Sequence, residues 1–412
     1  MSWFSSASEI STDSQKIERF LTRGVENVFP SREWLKARLG EGKQLSMYLG
    51  IDPTGPTLHL GHVIVLRKMK EFQELGHQVI LLIGDFTGMV GDPTGKASTR
   101  KRLTRDELHK NSALYQEQAS HFIKFSGTNP ALLKYNSEWL SKMNFEDVLN
   151  LSAQMTVEQM LKRDMFEERQ KAGQPIFIHE FLYPLLQGYD SVAMEVDGEI
   201  GGNDQTFNML VGRDLLKSLK QKDKFVLAVK LLTDSSGKKM GKTEGNMLTL
   251  LDSPAEMFGK VMSWSDDMIL AGFELLTDSP LRDIEQSLSS GSNPKTLKER
   301  LAKEIVTSYH GSDPAEAAQK NFSTAFSSGG VPENLKEVLV SSGTPLADVL
   351  KSENLIESNS ELRRLIAEGA VEEVGLSAQA EGHKISDARV LIDHSTTYKI
   401  GKHRFLKVRI LP

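Results

Sequence analysis

Between Ser46 and Gly84 the chain reads as one folding unit, and this unit restricts the possible folds more than any other feature. "SMYLGI" (Ser46 to Ile51) is an apolar run of strand length, closed by the turn sequence "DPTGPT". Val63, Leu66, Met69 and Phe72 then recur every three residues, which predicts a helix with one apolar stripe; Gly76 stands where a C-cap belongs. "QVILLIG" (Gln78 to Gly84) is the next strand. A strand, a loop, a helix and a second strand in this order build a parallel sheet. The expected class is α/β.

Helical patterns dominate from about Arg100 to Gln187. "VAMEVDGEIGG" (Val192 to Gly202) predicts a shorter strand, and "NDQTFNMLVGRDLLKSL" a loop feeding a helix. "KFVLAVKLLTD" (Lys224 to Asp234) predicts a further strand before the polar loop "SSGKKMGKTEGNM". Ser253 to Phe326 reads as mixed helix, and "SSGGVPEN" (Ser327 to Asn334) as a linker. Three domains are expected within the 412 residues: 1–252, 253–330 and a small unit over 344–412. With no cysteine, disulfides and thiolate metal sites are excluded, and a reducing cytoplasm is compatible. The N-terminus lacks the basic-then-apolar layout of a secretory signal, and the aliphatic run "VILLI" is far short of a membrane span. Net charge is −5, so a nucleic-acid partner would have to meet local basic patches. "KASTRKRLTR" (Lys96 to Arg105) and "YKIGKHRFLKVRILP" (Tyr398 to Pro412) are two such patches without an acid.

The predicted helix opens with "HLGH". A helix N-terminus carries unpaired N–H groups and a partial positive charge, which attract phosphate. In a parallel sheet that end lies at the carboxyl edge of the strands, where ligands bind. His59 and His62 would project from one side of the first turn and donate to phosphate oxygens, while Gly61 would let a base or ribose lie against the backbone. A second loop, "SGKKMGKTEG", offers Lys238, Lys239 and Lys242 between glycines, able to close over a polyphosphate. "GDPTGKAS" (Gly91 to Ser98) is not a P-loop: three residues instead of four separate its glycines, and Ala97 follows Lys96. "YPLLQGYD" places Tyr183, Gln187 and Asp190 on one helix face, a hydroxyl, an amide and a carboxylate suited to a small ligand with a polar group at each end.

"HLGH" with "KMGKT" resembles the HIGH and KMSKS signatures of class I aminoacyl-tRNA synthetases, with Gly241 and Thr243 at the loop's serine positions. The stretch around Tyr183 is similar to the amino-acid-binding helix of the tyrosyl-tRNA synthetase family, "YLGIDPT" to the strand before its first signature, and "GGNDQ" to its second nucleotide loop. The resemblance implies a Rossmann-like catalytic domain with a helical insertion. It implies that Asp190 and Tyr48 test the substrate phenol, and that Tyr183, Gln187 and Asp92 hold its ammonium. Gln205 would lie near the carboxylate, Asp52 near the substrate and Asp204 on the ribose, with Gly50, Gly61 and Gly202 along the nucleotide. Thr54 would lie near the γ-phosphate, and Lys96 and Arg100 would join His59, His62, Lys239 and Lys242 around the pyrophosphate. A carboxylate and phenol built for a substrate hydroxyl are left unpaired by phenylalanine, and this enzyme class is the standing example of such rejection without editing.

The implied chemistry is attack of the tyrosine carboxylate on the α-phosphate of ATP, followed by transfer to the terminal adenosine of tRNA(Tyr). Mg²⁺ would arrive with ATP, and no protein-bound metal or organic cofactor is expected. The last 70 or so residues resemble the alpha-L RNA-binding module, with Arg363, Arg364, Lys399, Lys402, Arg404 and Lys407 as a basic face; "GAVEEVG" departs from its pattern by two acids, Glu372 and Glu373. Members of the family are homodimers, which would place the interface in roughly Leu114 to Phe177. The alternatives are a tryptophanyl-type or other class I nucleotidylyltransferase, and an inactive RNA-binding paralogue. Tyr48 with Asp190 favours a phenol over an indole, and intact signature residues argue against a degenerate copy.

Overall fold

The computed structural model describes residues 9–94, 103–233, 248–327, 337–353, 355–356, 358–374, 383–401 and 404–411. They form two compact units, the chain to Asp252 with Trp264–Leu301, and Ser253–Ser263 with the chain from Ala302 onward.

In the first unit β1 (Val25–Phe29), β2 (Ser46–Ile51), β3 (Gln78–Ile83), β4 (Leu132–Tyr135), β5 (Gly198–Gly202) and β6 (Phe225–Val229) form one sheet in the order β1-β6-β5-β2-β3-β4. Every neighbouring pair is parallel except β1 and β6. The chain winds outward from β2 through β3 to β4, then returns on the other flank of β2 with β5 and β6. The crevice between the carboxyl ends of β2 and β5 is therefore the topological switch point, where open α/β sheets bind ligands. The expected parallel-sheet α/β class is what the chain adopts.

The helix after β2, Leu60–Glu74, buries Val63, Leu66, Met69 and Phe72, the predicted stripe. Each such side chain contributes about 1.5–3 kcal/mol by leaving water. His59 caps its start, and Gly76 follows its end at φ +91°, where a Cβ would lie 2.5 Å from the Glu9 carbonyl oxygen. Only glycine fits there. The segment Val192 to Gly202 departs from its predicted strand. Val192 to Met194 complete the helix Ile178–Met194, and β5 begins only at Gly198. Val192 packs with Val211 and Leu215, so tertiary contact overrides its β preference. That helix crosses Thr206–Lys220 at Gly188 and Gly212, where a Cβ on Gly188 would stand 3.1 Å from the Gly212 nitrogen.

In the second unit, Pro254–Met262 packs on Ser312–Ser327 through Phe258 and Phe322. A five-stranded sheet follows, in the spatial order His383–Lys384, Val371–Val374, Thr396–Ile400, Arg404–Ile410, Glu337–Val340. Helices Leu346–Ser352 and Asn359–Ala367 share its core through Leu346, Leu350, Leu362, Tyr398 and Leu406. This is an α+β module, the class that the resemblance to the alpha-L module implies.

Candidate active site

A cavity of about 320 Å³ opens at the switch point. Gly50, Asp52, Thr54, His59, Gly61 and His62 line one side of it, and Asp92, Tyr183, Gln187, Asp190, Gly202, Asp204 and Gln205 another. Residues from the carboxyl ends of β2 and β5 and from the helices that carry His62 and Tyr183 thus meet around a volume suited to a small ligand.

The two histidines are fixed by the helix they open. His59 Nδ1 accepts from the Gly61 N–H (3.2 Å), and His62 Nδ1 accepts from the His59 N–H (3.2 Å). Their rings stack with centroids 3.9 Å apart. With both Nδ1 atoms accepting, each neutral ring carries its proton on Nε2, a donor matched to phosphate oxygen. A Cβ at Gly61 would stand 3.0 Å from the His59 ring, so this glycine makes room for the capping imidazole as well as bordering the cavity.

On the opposite side Asp190 is 2% exposed. Trp139 Nε1 donates to its Oδ1 (2.7 Å), and Asn136 Nδ2 to its Oδ2 (3.3 Å). Burial pushes its carboxyl well above the usual range, while these two donors act the other way. Asn136 also donates to Thr87 Oγ1 (2.9 Å), which donates to Asp52 Oδ1 (2.7 Å). The other Asp52 oxygen accepts from the Tyr183 hydroxyl (2.9 Å). A Cβ at Gly84 would fall 2.0 Å from Asp52 Oδ1, so the residue after β3 must be glycine for this carboxylate to sit there. Asp92 Oδ1 accepts from the Thr94 N–H, and its Oδ2 accepts from Gln205 Nε2 (2.8 Å). Gln187 Nε2 donates to Glu199 Oε1 (3.0 Å).

Tyr48 is set apart from the other expected site residues. It is fully buried, does not line the cavity, and its hydroxyl lies 2.9 Å from Ser191 Oγ. Burial, then the nearby Glu199 charge, pushes its phenol well above the usual range. Lys96, Arg100, Lys238, Lys239 and Lys242 lie outside the described residues. The chain on either side of the lysine-bearing segment is at the site: Leu231 and Leu232 line the cavity, and Leu248–Leu250 pairs with the backbone around His59.

In the second unit Arg363 and Arg364 are exposed on their helix. Lys399 faces Glu372 across the sheet (3.9 Å), Arg404 pairs with Glu361 (3.2 Å), and Lys407 with Glu337 (3.2 Å); Lys402 lies outside the described residues. The sequence reading missed Thr87, Asn136, Trp139, Glu199, Ser191 and Lys224. Asn136 had a usable signal, since it directly follows the apolar–polar run of β4 and so falls at a strand's carboxyl end. Glu199 and Lys224 read as ordinary polar residues beside a strand.

Residues 41–327 match the family model of tRNA synthetases class I (W and Y). The chain belongs to this family. The relatives it matches over nearly its whole length are tyrosine--tRNA ligases. It is 45% identical to tyrosine--tRNA ligase 2 of Vibrio parahaemolyticus, over 95% of this chain and 97% of that one. It is 43% identical to tyrosine--tRNA ligase of Haemophilus ducreyi, over 96% of this chain and 100% of that one. In fold it resembles a truncated mitochondrial tyrosyl-tRNA synthetase of Aspergillus nidulans (TM-score 0.64, 24% identity, 76% of this chain and 94% of that one). It also resembles a tyrosyl-tRNA synthetase of Archaeoglobus fulgidus complexed with L-tyrosine (TM-score 0.60, 21% identity, 74% and 100%).

Proposed function

We infer that this chain is a tyrosine--tRNA ligase: it activates L-tyrosine with ATP to tyrosyl-adenylate, releases pyrophosphate, and transfers tyrosine to the 3′-terminal adenosine of tRNA(Tyr). One observation carries this reading. A single cavity has two imidazoles at a helix N-terminus on one side and a buried carboxylate held by Trp139 and Asn136 on the other.

The phenol of tyrosine donates to Asp190, and its ammonium lies among Tyr183, Gln187 and Asp92. Gln205 stands near the reacting carboxylate, and Asp52 near the bound substrate. Tyr48 supports the phenol end from behind the cavity wall. The carboxylate, ionised at pH 7, attacks the α-phosphate without a general base. Holding the two in line supplies roughly 7–11 kcal/mol of the barrier. Nε2 donors of His59 and His62 meet the charge that develops on the phosphates, with Lys239, Lys242, Lys96, Arg100 and Thr54 assigned to the leaving pyrophosphate. Asp204 takes the ribose, and Gly50, Gly61 and Gly202 border the nucleotide. Mg²⁺ enters as part of the nucleotide substrate.

Among the described residues no helix is long and apolar enough to cross a membrane. We assign the enzyme to the cytoplasm, where tRNA and ATP are available. A homodimer is supported by exposed apolar side chains in and beside the insertion, Phe145 (77% exposed), Val157 and Ile178 (81%) among them. The C-terminal module is assigned to tRNA, with Arg363, Arg364, Lys399, Lys402 and Arg404 as its basic groups. Exchange of labelled pyrophosphate into ATP, run with each of the twenty amino acids, tests the whole reading. Exchange with tyrosine alone is expected. Exchange driven by tryptophan, or by no amino acid, would overturn it.

A further inference from the structure

Behind the amino-acid end of the cavity lies an ion pair for which the reaction has no direct use. Lys224 and Glu199 are 0% and 2% exposed and form a salt bridge. Lys224 Nζ also donates to Ser191 Oγ (2.8 Å), the atom that meets the Tyr48 hydroxyl. The parallel register of β2 and β5 sets Tyr48 beside Glu199. On the cavity side, Glu199 Oε1 accepts from Gln187 Nε2 (3.0 Å). Gly212 leaves the space this requires: a Cβ there would stand 2.7 Å from Lys224 Nζ and 2.9 Å from Ser191 Oγ. Five polar side chains from β2, β5, the start of β6 and one helix thus form a single connected group.

A buried ion pair is a poor source of stability, because apolar residues of similar volume often serve as well. Its position directly behind Gln187 points to another use. A carboxylate only accepts hydrogen bonds, so the Gln187 atom facing Glu199 has to be the NH₂ nitrogen. The amide oxygen is then left as the acceptor for a substrate ammonium. Were the amide reversed, its NH₂ would oppose that cation. Lys224 holds Glu199 in place, and through Ser191 it ties Tyr48 to the same frame.

We propose that Ser191, Glu199 and Lys224 are positioning residues that fix the Gln187 amide with its oxygen available to the amino-acid ammonium, and thereby set the affinity for the amino-acid substrate. This rests on the reading of the cavity as an amino-acid-activating site. The group differs from the substrate-facing residues in that Lys224 and Ser191 do not border the cavity; they act through Glu199 and Gln187.

The test is Glu199→Gln/Lys224→Met in the full chain, which removes both charges together and leaves no buried ion alone. The resulting amide–amide contact has no preferred direction. Pyrophosphate exchange should show KM for tyrosine raised about tenfold or more, the factor for a lost hydrogen bond to a charged group, with kcat and KM for ATP within twofold. Calorimetric titration with L-tyrosine should show the same loss. A KM for tyrosine within twofold of the parent in the folded variant would overturn the proposal, as would equal rises in both KM values. Should the double variant not fold, Ser191→Ala gives the same reading: a rise of threefold or more in KM for tyrosine alone supports it, and no change overturns it. A parent enzyme that exchanges with no amino acid sinks the functional reading and this inference with it.

Discussion

Asp190→Asn is the substitution whose outcome follows most directly from the geometry. Each Asp190 oxygen already faces a donor, Trp139 Nε1 at 2.7 Å and Asn136 Nδ2 at 3.3 Å. An amide at 190 must therefore turn its NH₂ toward one of them. The shorter Trp139 contact keeps the amide oxygen, so the NH₂ falls on the Asn136 side. Tyrosine then exchanges a hydrogen bond to a charged acceptor, about 1.5–3 kcal/mol, for at best a neutral one of about 0.5–1.5 kcal/mol. Between like ends of these ranges the loss is ~1–1.5 kcal/mol, or roughly 5- to 13-fold in kcat/KM. Phenylalanine changes in the other direction, because in the parent it leaves the desolvated carboxylate, still held by Trp139 and Asn136, without the substrate's donor, at a cost of at least ~1 kcal/mol. With about 1 kcal/mol on each arm as the minimum, the tyrosine-to-phenylalanine ratio of kcat/KM falls by roughly 30-fold or more. The assay is pyrophosphate exchange with each amino acid at saturating ATP. A variant that still exchanges and whose ratio stays within threefold of the parent refutes the assignment of Asp190 to the phenol. Burial raises the Asp190 carboxyl, so it regains a proton at a higher pH than an exposed aspartate. KM for tyrosine should accordingly rise as pH falls toward the acid side in the parent, and be flatter in the variant.

The same geometry has further measurable consequences. His59→Ala removes both a phosphate donor and the helix cap; exchange kcat should drop about 10²-fold with KM for tyrosine little changed, and urea unfolding should show a loss of about 1 kcal/mol. Gly84→Ala drives a Cβ into Asp52 and Thr87, and should cost roughly 1–3 kcal/mol in urea unfolding together with most of the exchange activity. Burial lowers His77 to about 4 in the folded chain, against an ordinary value of 6.5. Its contribution is full above pH 6.5 and is lost as pH falls toward 4, up to roughly 3 kcal/mol, so His77→Gln should flatten the fall in urea-unfolding stability across that window. Phe145→Asp with Val157→Asp should turn a dimer into monomers in light scattering, leaving the melting temperature of the monomer to show that the fold survives.

The chain's local chemistry made much of this legible in advance. The apolar runs at Ser46 and Gln78 and the three-residue recurrence from Val63 are strong signals because one periodicity serves both local propensity and burial. "HLGH" could be placed on a helix N-terminus because a capping position and an apolar stripe adjoin it. The strand expected over Val192 to Gly202 shows where such reasoning stops. Its valines satisfy a strand, but helix–helix packing against Val211 and Leu215 claims the first of them.

Sequence alone determined the parallel sheet, the histidine-headed helix and the face that carries Tyr183, Gln187 and Asp190, since all three depend on spacings of a few residues along one element. Tertiary structure decided which side chains hold them. Trp139 and Asn136 reach Asp190 from about 50 positions away. Lys224 reaches Glu199 and Ser191 from 25 and 33 positions away. Tyr48, expected on the cavity wall, turns its hydroxyl to Ser191 instead. Partners of this kind are chosen by strand order and by the close crossing at Gly188 and Gly212, where a buried donor takes whatever acceptor the packing brings within reach. No period along the chain encodes that choice.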